Sequence, residues 1–184
     1  GDELLDSYDA ERRPVFESTA KDFIERFIEE DREFLETYSP EKDEAEFKEK
    51  WANRNLQAEE VNLFEPNYEG SPILVKSSGT PSARGGHEFK ARAGHHLSPQ
   101  KLSDGCDSFD ALGAGFTLFS FGAAKADVAS FKASAENYGI PLTIVEDAET
   151  DLAKAGYEAK LILVRPDQFV AWVGDTGNGE AILP

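Results

Sequence analysis

Residues 109–173 read FDALGAGFTLFSFGAAKADVASFKASAENYGIPLTIVEDAETDLAKAGYEAKLILVRPDQFVAWV. Phe116–Phe121 is a run of aromatic and β-branched residues and reads as a strand. Lys125–Tyr138 reads as a helix, because Val128, Phe131 and Ala135 fall on one face and Gly139 and Pro141 stop the pattern. Leu142–Val145 is a second strand and Asp151–Gly156 a short helix. Leu161–Val164 and Phe169–Val173 are two more strands, joined by the hairpin turn Arg165-Pro166-Asp167-Gln168. The order is β-α-β-α-β-β, an α/β fold with a mixed sheet. A right-handed crossover makes the first two strands parallel, with the hairpin antiparallel beside them.

That order is the thioredoxin-type one. Redox catalysis on it needs a thiolate at a helix start, usually with a second Cys two residues away. Here the turn after the first strand is Gly122-Ala123-Ala124-Lys125, so the CxxC motif is lacking. Cys106 is the only cysteine. It sits before that strand, in a turn between Asp104 and Asp107, and nearby carboxylates raise a thiol pKa. A peroxidase or disulfide reductase is therefore disfavoured. One cysteine also excludes a disulfide framework and a Cys-based zinc site. With no signal peptide it fits a cytoplasmic protein.

Upstream, residues 2–38 read as helix. Phe16, Ala20, Phe23, Ile24, Phe27, Ile28, Phe34, Leu35 and Tyr38 recur at three and four, forming one apolar stripe. Pro14 lacks a donor, so it is expected to kink or restart the helix. A more polar helix follows over 41–58, with Phe47, Trp51 and Leu56 as its apolar members. Such a stripe needs a partner surface. Residues 65–105 are rich in Gly and Pro, with a short strand expected at Ile73–Lys76. The chain thus divides into a helical segment (1–60), a turn-rich linker (61–108) and a thioredoxin-like domain (109–184). It opens on Gly1 and runs straight into helix, which reads as an excised piece of a longer protein.

The 184 residues carry 36 acidic and 19 basic side chains, net -17. Residues 1–60 hold 20 acidic against 9 basic side chains. A field of this sign repels phosphate backbones and anionic membranes, so nucleic acid is not an expected partner. No apolar run approaches the roughly 18 residues that a membrane span needs.

Five segments, in order, resemble the C-terminal part of the FAD-dependent aromatic-ring hydroxylases, the phenol hydroxylase-like flavoprotein monooxygenases. They are Leu5-Asp6-Ser7-Tyr8-Asp9-Ala10-Glu11-Arg12-Arg13-Pro14; Tyr68-Glu69-Gly70-Ser71-Pro72; Arg92-Ala93-Gly94-His95-His96 with Ser103-Asp104-Gly105; Phe109 to Leu118; and Leu163 to Trp172. Gly94 stands where the family commonly has Pro, and Gln168 where it commonly has Gly. The resemblance implies a parent protein that uses FAD and NAD(P)H to hydroxylate a phenolic ring. No Gly-x-Gly-x-x-Gly follows a strand here, so the flavin site would lie upstream. The fragment would then be non-catalytic, bracing the N-terminal FAD/substrate domain and forming a homodimer. A free-standing, redox-inactive thioredoxin-like binding module is the alternative.

No catalytic, cofactor-binding or metal residue is assigned. Arg12 and Arg13, with Tyr8, are candidates for docking onto the flavin domain, against solvated helix charge as the plainer reading. His87, His95 and His96 form the only metal-like cluster, but adjacent histidines diverge and the spacing fits no zinc signature. They are expected to hydrogen-bond or pack. Tyr157, Phe169 and Trp172 are expected in the core.

Overall fold

The computed structural model describes residues 2–56, 60–75, 77–147 and 156–183. Its centre is a four-stranded sheet of β3 (Phe116–Phe121), β4 (Leu142–Asp147), β5 (Leu161–Val164) and β6 (Val170–Gly174), in the order β4-β3-β5-β6. β3 and β4 are parallel, and β5 is antiparallel to both β3 and β6. Helix α5 (Lys125–Tyr138) makes the crossover between the parallel pair. Its C-terminus closes on Gly139, whose φ of 66° lets the amide bond back to Ala135 and Glu136. A last short helix, α6 (Gly179–Ile182), packs on α5.

Strand alternation gives the sheet two buried faces. Phe119, Phe121, Ile162 and Val164 join Leu97, Leu102 and Tyr157 on one face. Leu118, Leu161, Leu163 and Trp172 meet Val128, Phe131 and Ala135 of α5 on the other. Val170 and Trp172 lie two apart on β6, yet they serve opposite faces. The cause is an irregularity in register: Leu163 pairs with Trp172 and Val164 with Val170. Tyr157 and Trp172 are buried as expected, whereas Phe169 is only partly so. Burial pushes the Tyr157 phenol up to about 12, and its hydroxyl donates to the Ser98 carbonyl at 2.7 Å.

The upstream half is one helical run. Helix α1 (Asp2–Ser18) passes into a π-helical stretch, Thr19–Glu25, and then into α2 (Arg26–Thr37). The run does not restart at Pro14, which lies inside α1. The carbonyl it leaves without a donor belongs to Ala10, which is exposed to water. Helix α3, Glu44–Leu56, begins at Glu44 rather than 41, because Asp43 accepts from the amides of Ala45 and Glu46 and sets the start there; the expected end at 57–58 lies outside the described residues. Phe34 packs on Phe47 and Trp51, joining α2 to α3. A short helix, α4 (Glu60–Leu63), then leads into β1 (Phe64–Asn67).

The expected strand at Ile73–Lys76 is not formed at residues 73–75, which lie in turns, and Lys76 is outside the described residues. The reason is local: Ser71 and Leu74 donate backbone bonds to Tyr68 and Ser71, curling the chain. Instead β1 pairs antiparallel with β2 (Ser82–Arg84). Strand β4 runs two residues past the expected Leu142–Val145, and β6 begins one residue after the expected Phe169. The expected helix Asp151–Gly156 falls outside the described residues up to 155; Gly156 and Tyr157 are helical.

The turn-rich stretch is tied to the hairpin. Gly94 donates to the Val170 carbonyl and accepts from Tyr68, and Leu97 donates to Gln168. Gly94 has φ 88°, and a Cβ there would sit 2.9 Å from the Tyr68 carbonyl carbon. Proline, locked near −65°, cannot take that conformation. Phe131 is fully buried between α5 and Trp172. Phe131→Ala is expected to cost about 3–5 kcal/mol of stability, read as a lower urea midpoint.

Candidate functional site

Helix geometry places Tyr8, Glu11 and Arg12 on neighbouring positions of one face of α1. Glu11 is 2% exposed. Its two carboxylate oxygens accept from Nη1 and Nη2 of Arg165 at 2.7 and 3.0 Å. Oε1 also accepts from the Ser71 hydroxyl at 2.8 Å. Arg165 begins the hairpin turn between β5 and β6, and its other edge is held by Asp167. The turn itself closes through Gln168, which adopts a left-handed φ of 70° where glycine is the easier residue. Burial alone would lower the Arg165 pKa, but Glu11 and Asp167 outweigh it and hold it above the ordinary value.

The Tyr68 ring lies against this pair. The Arg165 guanidinium is 5.7 Å from its centroid and that of Arg12 is 5.2 Å. Arg12 also lies 5.4 Å from the Tyr8 ring, so the cation sits between two tyrosines. Burial, with Asp167 and Glu11, pushes the Tyr68 phenol up against the pull of the two arginines.

Of the three expected docking residues, Tyr8 and Arg12 come together and Arg13 does not join them. Arg13 pairs with Asp9 at 2.8 Å in an exposed i,i+4 bridge. Sequence reading missed Glu11 as the buried anchor. The available signal was that Glu11 and Arg165 each sit inside one of the five motif segments.

A second polar centre forms around His95, which is 3% exposed. Its Nδ1 lies 2.9 Å from Glu65 and its Nε2 2.9 Å from Glu69. Arg92 donates to the same Glu65 oxygen at 2.7 Å, and the His87 amide donates to the other. Burial alone would raise the Glu65 carboxyl, but the His87 amide, the His95 ring and Arg92 together hold it below its ordinary value. His96 instead contacts Gln168 and the rings of Phe109 and Phe169. The three histidines therefore do not converge. Among the described residues, no group of His, Cys, Asp and Glu is arranged to hold a metal ion. Cys106 is exposed, and Asp104 beside it pushes its thiol pKa up.

The β3–α5 turn does not fit a flavin pyrophosphate: it has one glycine, Gly122, and the first turn of α5 carries Asp127 beside Lys125, a carboxylate where an anion would need positive dipoles alone. Phe16, Ile24, Ile28 and Leu35 of the long helical run are each more than half exposed. Only Phe23 of that stripe is buried, edge-on to Phe64 at 5.2 Å. Among the described residues, no helix is long and apolar enough to cross a membrane.

The family of aromatic-ring hydroxylase C-terminal regions matches residues 90–183. The chain belongs to that family. A second resemblance is to an FAD-dependent monooxygenase, opdD, of Penicillium oxalicum, 38% identical over 82 residues, or 42% of this chain and 16% of that protein. The rebeccamycin biosynthetic enzyme RebC with reduced flavin matches 97% of this chain at 29% identity and a TM-score of 0.69. RebC with bound 7-carboxy-K252c, from a chromopyrrolic acid soak, matches at 27% identity and 0.68. This hydroxylase C-terminal chain spans 35% of those RebC chains.

Breaking the buried pair leaves an uncompensated charge, so Glu11→Ala is expected to cost about 3–5 kcal/mol in urea denaturation. Arg13→Ala, by contrast, should shift stability by less than about 0.5 kcal/mol. Glu65 adds a pH dependence. A carboxyl held low in the folded state stabilises above its unfolded value of 4.5 and loses that contribution as pH falls through the folded value. Urea midpoints measured from neutral pH downward should fall in the parent chain, and fall less steeply in Glu65→Gln.

Proposed function

We propose that this chain is the C-terminal accessory region of a flavin-dependent monooxygenase that hydroxylates a phenolic ring using NAD(P)H and oxygen. The region itself supplies no catalytic group. Residues 1–60 continue from the FAD/substrate domain as a helical arm, 61–108 link, and 109–184 form a thioredoxin-like domain without a reactive cysteine pair. FAD, held by the rest of the parent protein, supplies the electron transfer from NAD(P)H and the activation of oxygen. The work of this region is to dock on that domain, through Tyr8, Arg12 and Arg13, and to help form a cytoplasmic homodimer.

The observation that carries this reading is one of extent. The likeness to RebC spans 97% of this chain but 35% of that one, and the β3–α5 turn lacks the glycines of a flavin pyrophosphate cradle. The exposed apolar side chains of the long helical run suit a face that meets another domain. A free-standing binding module remains the second reading, supported by the two buried cores that residues 91–183 form around one sheet. The gene's reading frame separates the two: a start codon within a few residues of Gly1 favours the module.

The full-length protein is expected to purify yellow with bound FAD and to consume NAD(P)H in the presence of a phenolic substrate. The 184-residue chain should purify colourless. Stoichiometric FAD retained by the 184-residue chain overturns the proposal.

A further inference from the structure

The sheet has an open edge. β4 lies outermost and pairs with β3 alone. At the opposite edge, Gly94 and His95 take up the backbone of Val170. Among the described residues, no backbone bond reaches the outer side of β4. The burial of the strands agrees: every residue of β5 is buried and none of β4 is. An uncovered row of amides and carbonyls is a template for another strand. The usual deterrents are weak here, because Pro141 stands before the strand and the first charge in it is Glu146.

The bonds to β3 fix which groups point outward. Phe116 donates to the Pro141 carbonyl and pairs in register with Leu142. In a parallel ladder, Pro141, Thr143, Val145 and Asp147 therefore turn their backbone groups toward β3. The amides and carbonyls of Leu142, Ile144 and Glu146 face away from it. This outward set is symmetric about Ile144. A second copy laid antiparallel, with Ile144 opposite Ile144, sets Leu142 opposite Glu146 on both sides of the axis. Every outward donor then meets an outward acceptor. Moving the axis to Val145 would put Leu142 opposite residue 148, beyond the end of the strand.

The side chains suit the same pairing. Leu142 and Ile144 pack toward α5, and strand alternation puts Glu146 on that face. Ile144 thus meets its own copy, an apolar pair on the axis. Lys132 and Glu136 of α5 line the shallow groove beside Leu142 and Ile144. Lys132 and Glu146 have no ion-pair partner among the described residues. The pairing brings Glu146 of the second copy to that groove, where Lys132 attracts it and Glu136 opposes it.

We propose that the outer edge of β4 seats a second copy of this chain, joined strand to strand in a two-fold dimer with Ile144 on the axis. This dimer is the homodimer of the monooxygenase reading and rests on that part of it. It leaves the exposed face of the long helical run free for the upstream domain.

The test is sedimentation equilibrium on the 184-residue chain and on the full-length protein, with amide hydrogen exchange on the chain. Both should be dimers. In the dimer the amides of Leu142, Ile144 and Glu146 should exchange slowly. Dilution to monomer should free those amides while Thr143 and Val145 stay protected. Ile144→Lys and Ile144→Glu should each be monomeric, because like charges then meet on the axis. Mixed together, the two should recover a dimer. Lys132→Glu should raise the dimer dissociation constant about fivefold. Where a charge at position 144 unfolds the chain, the exchange pattern of the unsubstituted chain decides. A monomeric chain beside a dimeric full-length protein overturns the β4 edge and leaves the homodimer standing. Monomers in both overturn both. A dimer that persists in folded Ile144→Lys, or outward amides that exchange alike in monomer and dimer, also overturns the β4 edge.

Discussion

Glu11 and Arg165 are 154 residues apart and meet in a bidentate ion pair almost sealed from water. Taking two charges out of water costs several kcal/mol per ion, and the loss is repaid only when both oxygens and both nitrogens find partners in good geometry. Ser71 and Asp167 complete that set. The helix, the Tyr68–Leu74 turns and the β5–β6 hairpin must therefore arrive together. None of the three can shift by half a turn or one register without stranding a buried charge.

The same constraint organises what surrounds it. The guanidiniums of Arg12 and Arg165 lie 5.2 and 5.7 Å from the Tyr68 ring centroid, and Phe169 of the hairpin meets the same ring in a tilted contact at 4.3 Å. The amide of Tyr68 is held by Gly94, which in turn holds Val170. A polar anchor thus continues into the sheet core through backbone bonds and ring contacts. His95, clasped between Glu65 and Glu69, repeats the device a few residues away. Both anchors reach into the turn-rich stretch, one through Ser71 and Tyr68 and the other through Glu65, Glu69 and His95; that stretch lacks long regular elements and so depends on side-chain bonds to keep its shape.

The long helical run shows the opposite condition. It meets the rest of the fold at Glu11, Ser18 and Phe23, where Ser18 accepts from the Ala83 amide and Phe23 packs on Phe64. Elsewhere Phe34 packs on α3, while Phe16, Ile24, Ile28 and Leu35 stay more than half exposed, in a segment that is strongly acidic. Burial on one side and exposure on the other follow from a stripe wider than the surface offered to it.

The strands, α5 and the hairpin turn were legible in the sequence because their signals are local. Apolar period, a stop at Gly139, and a Pro-Asp turn act within a few residues. The family resemblance was legible for the same reason, in short motifs such as Glu-Arg-Arg-Pro and Val-Arg-Pro-Asp. The absence of a strand at Ile73 and the pairing of β1 with β2 were not legible. The first was decided by backbone bonds that curl Tyr68–Leu74 into turns, the second by a bond between distant residues, Asn67 reaching across to the Arg84 carbonyl. The roles of Glu11 and His95 were hidden likewise. A charged side chain in a helix or a loop looks solvated until the tertiary structure removes the water and supplies its partner.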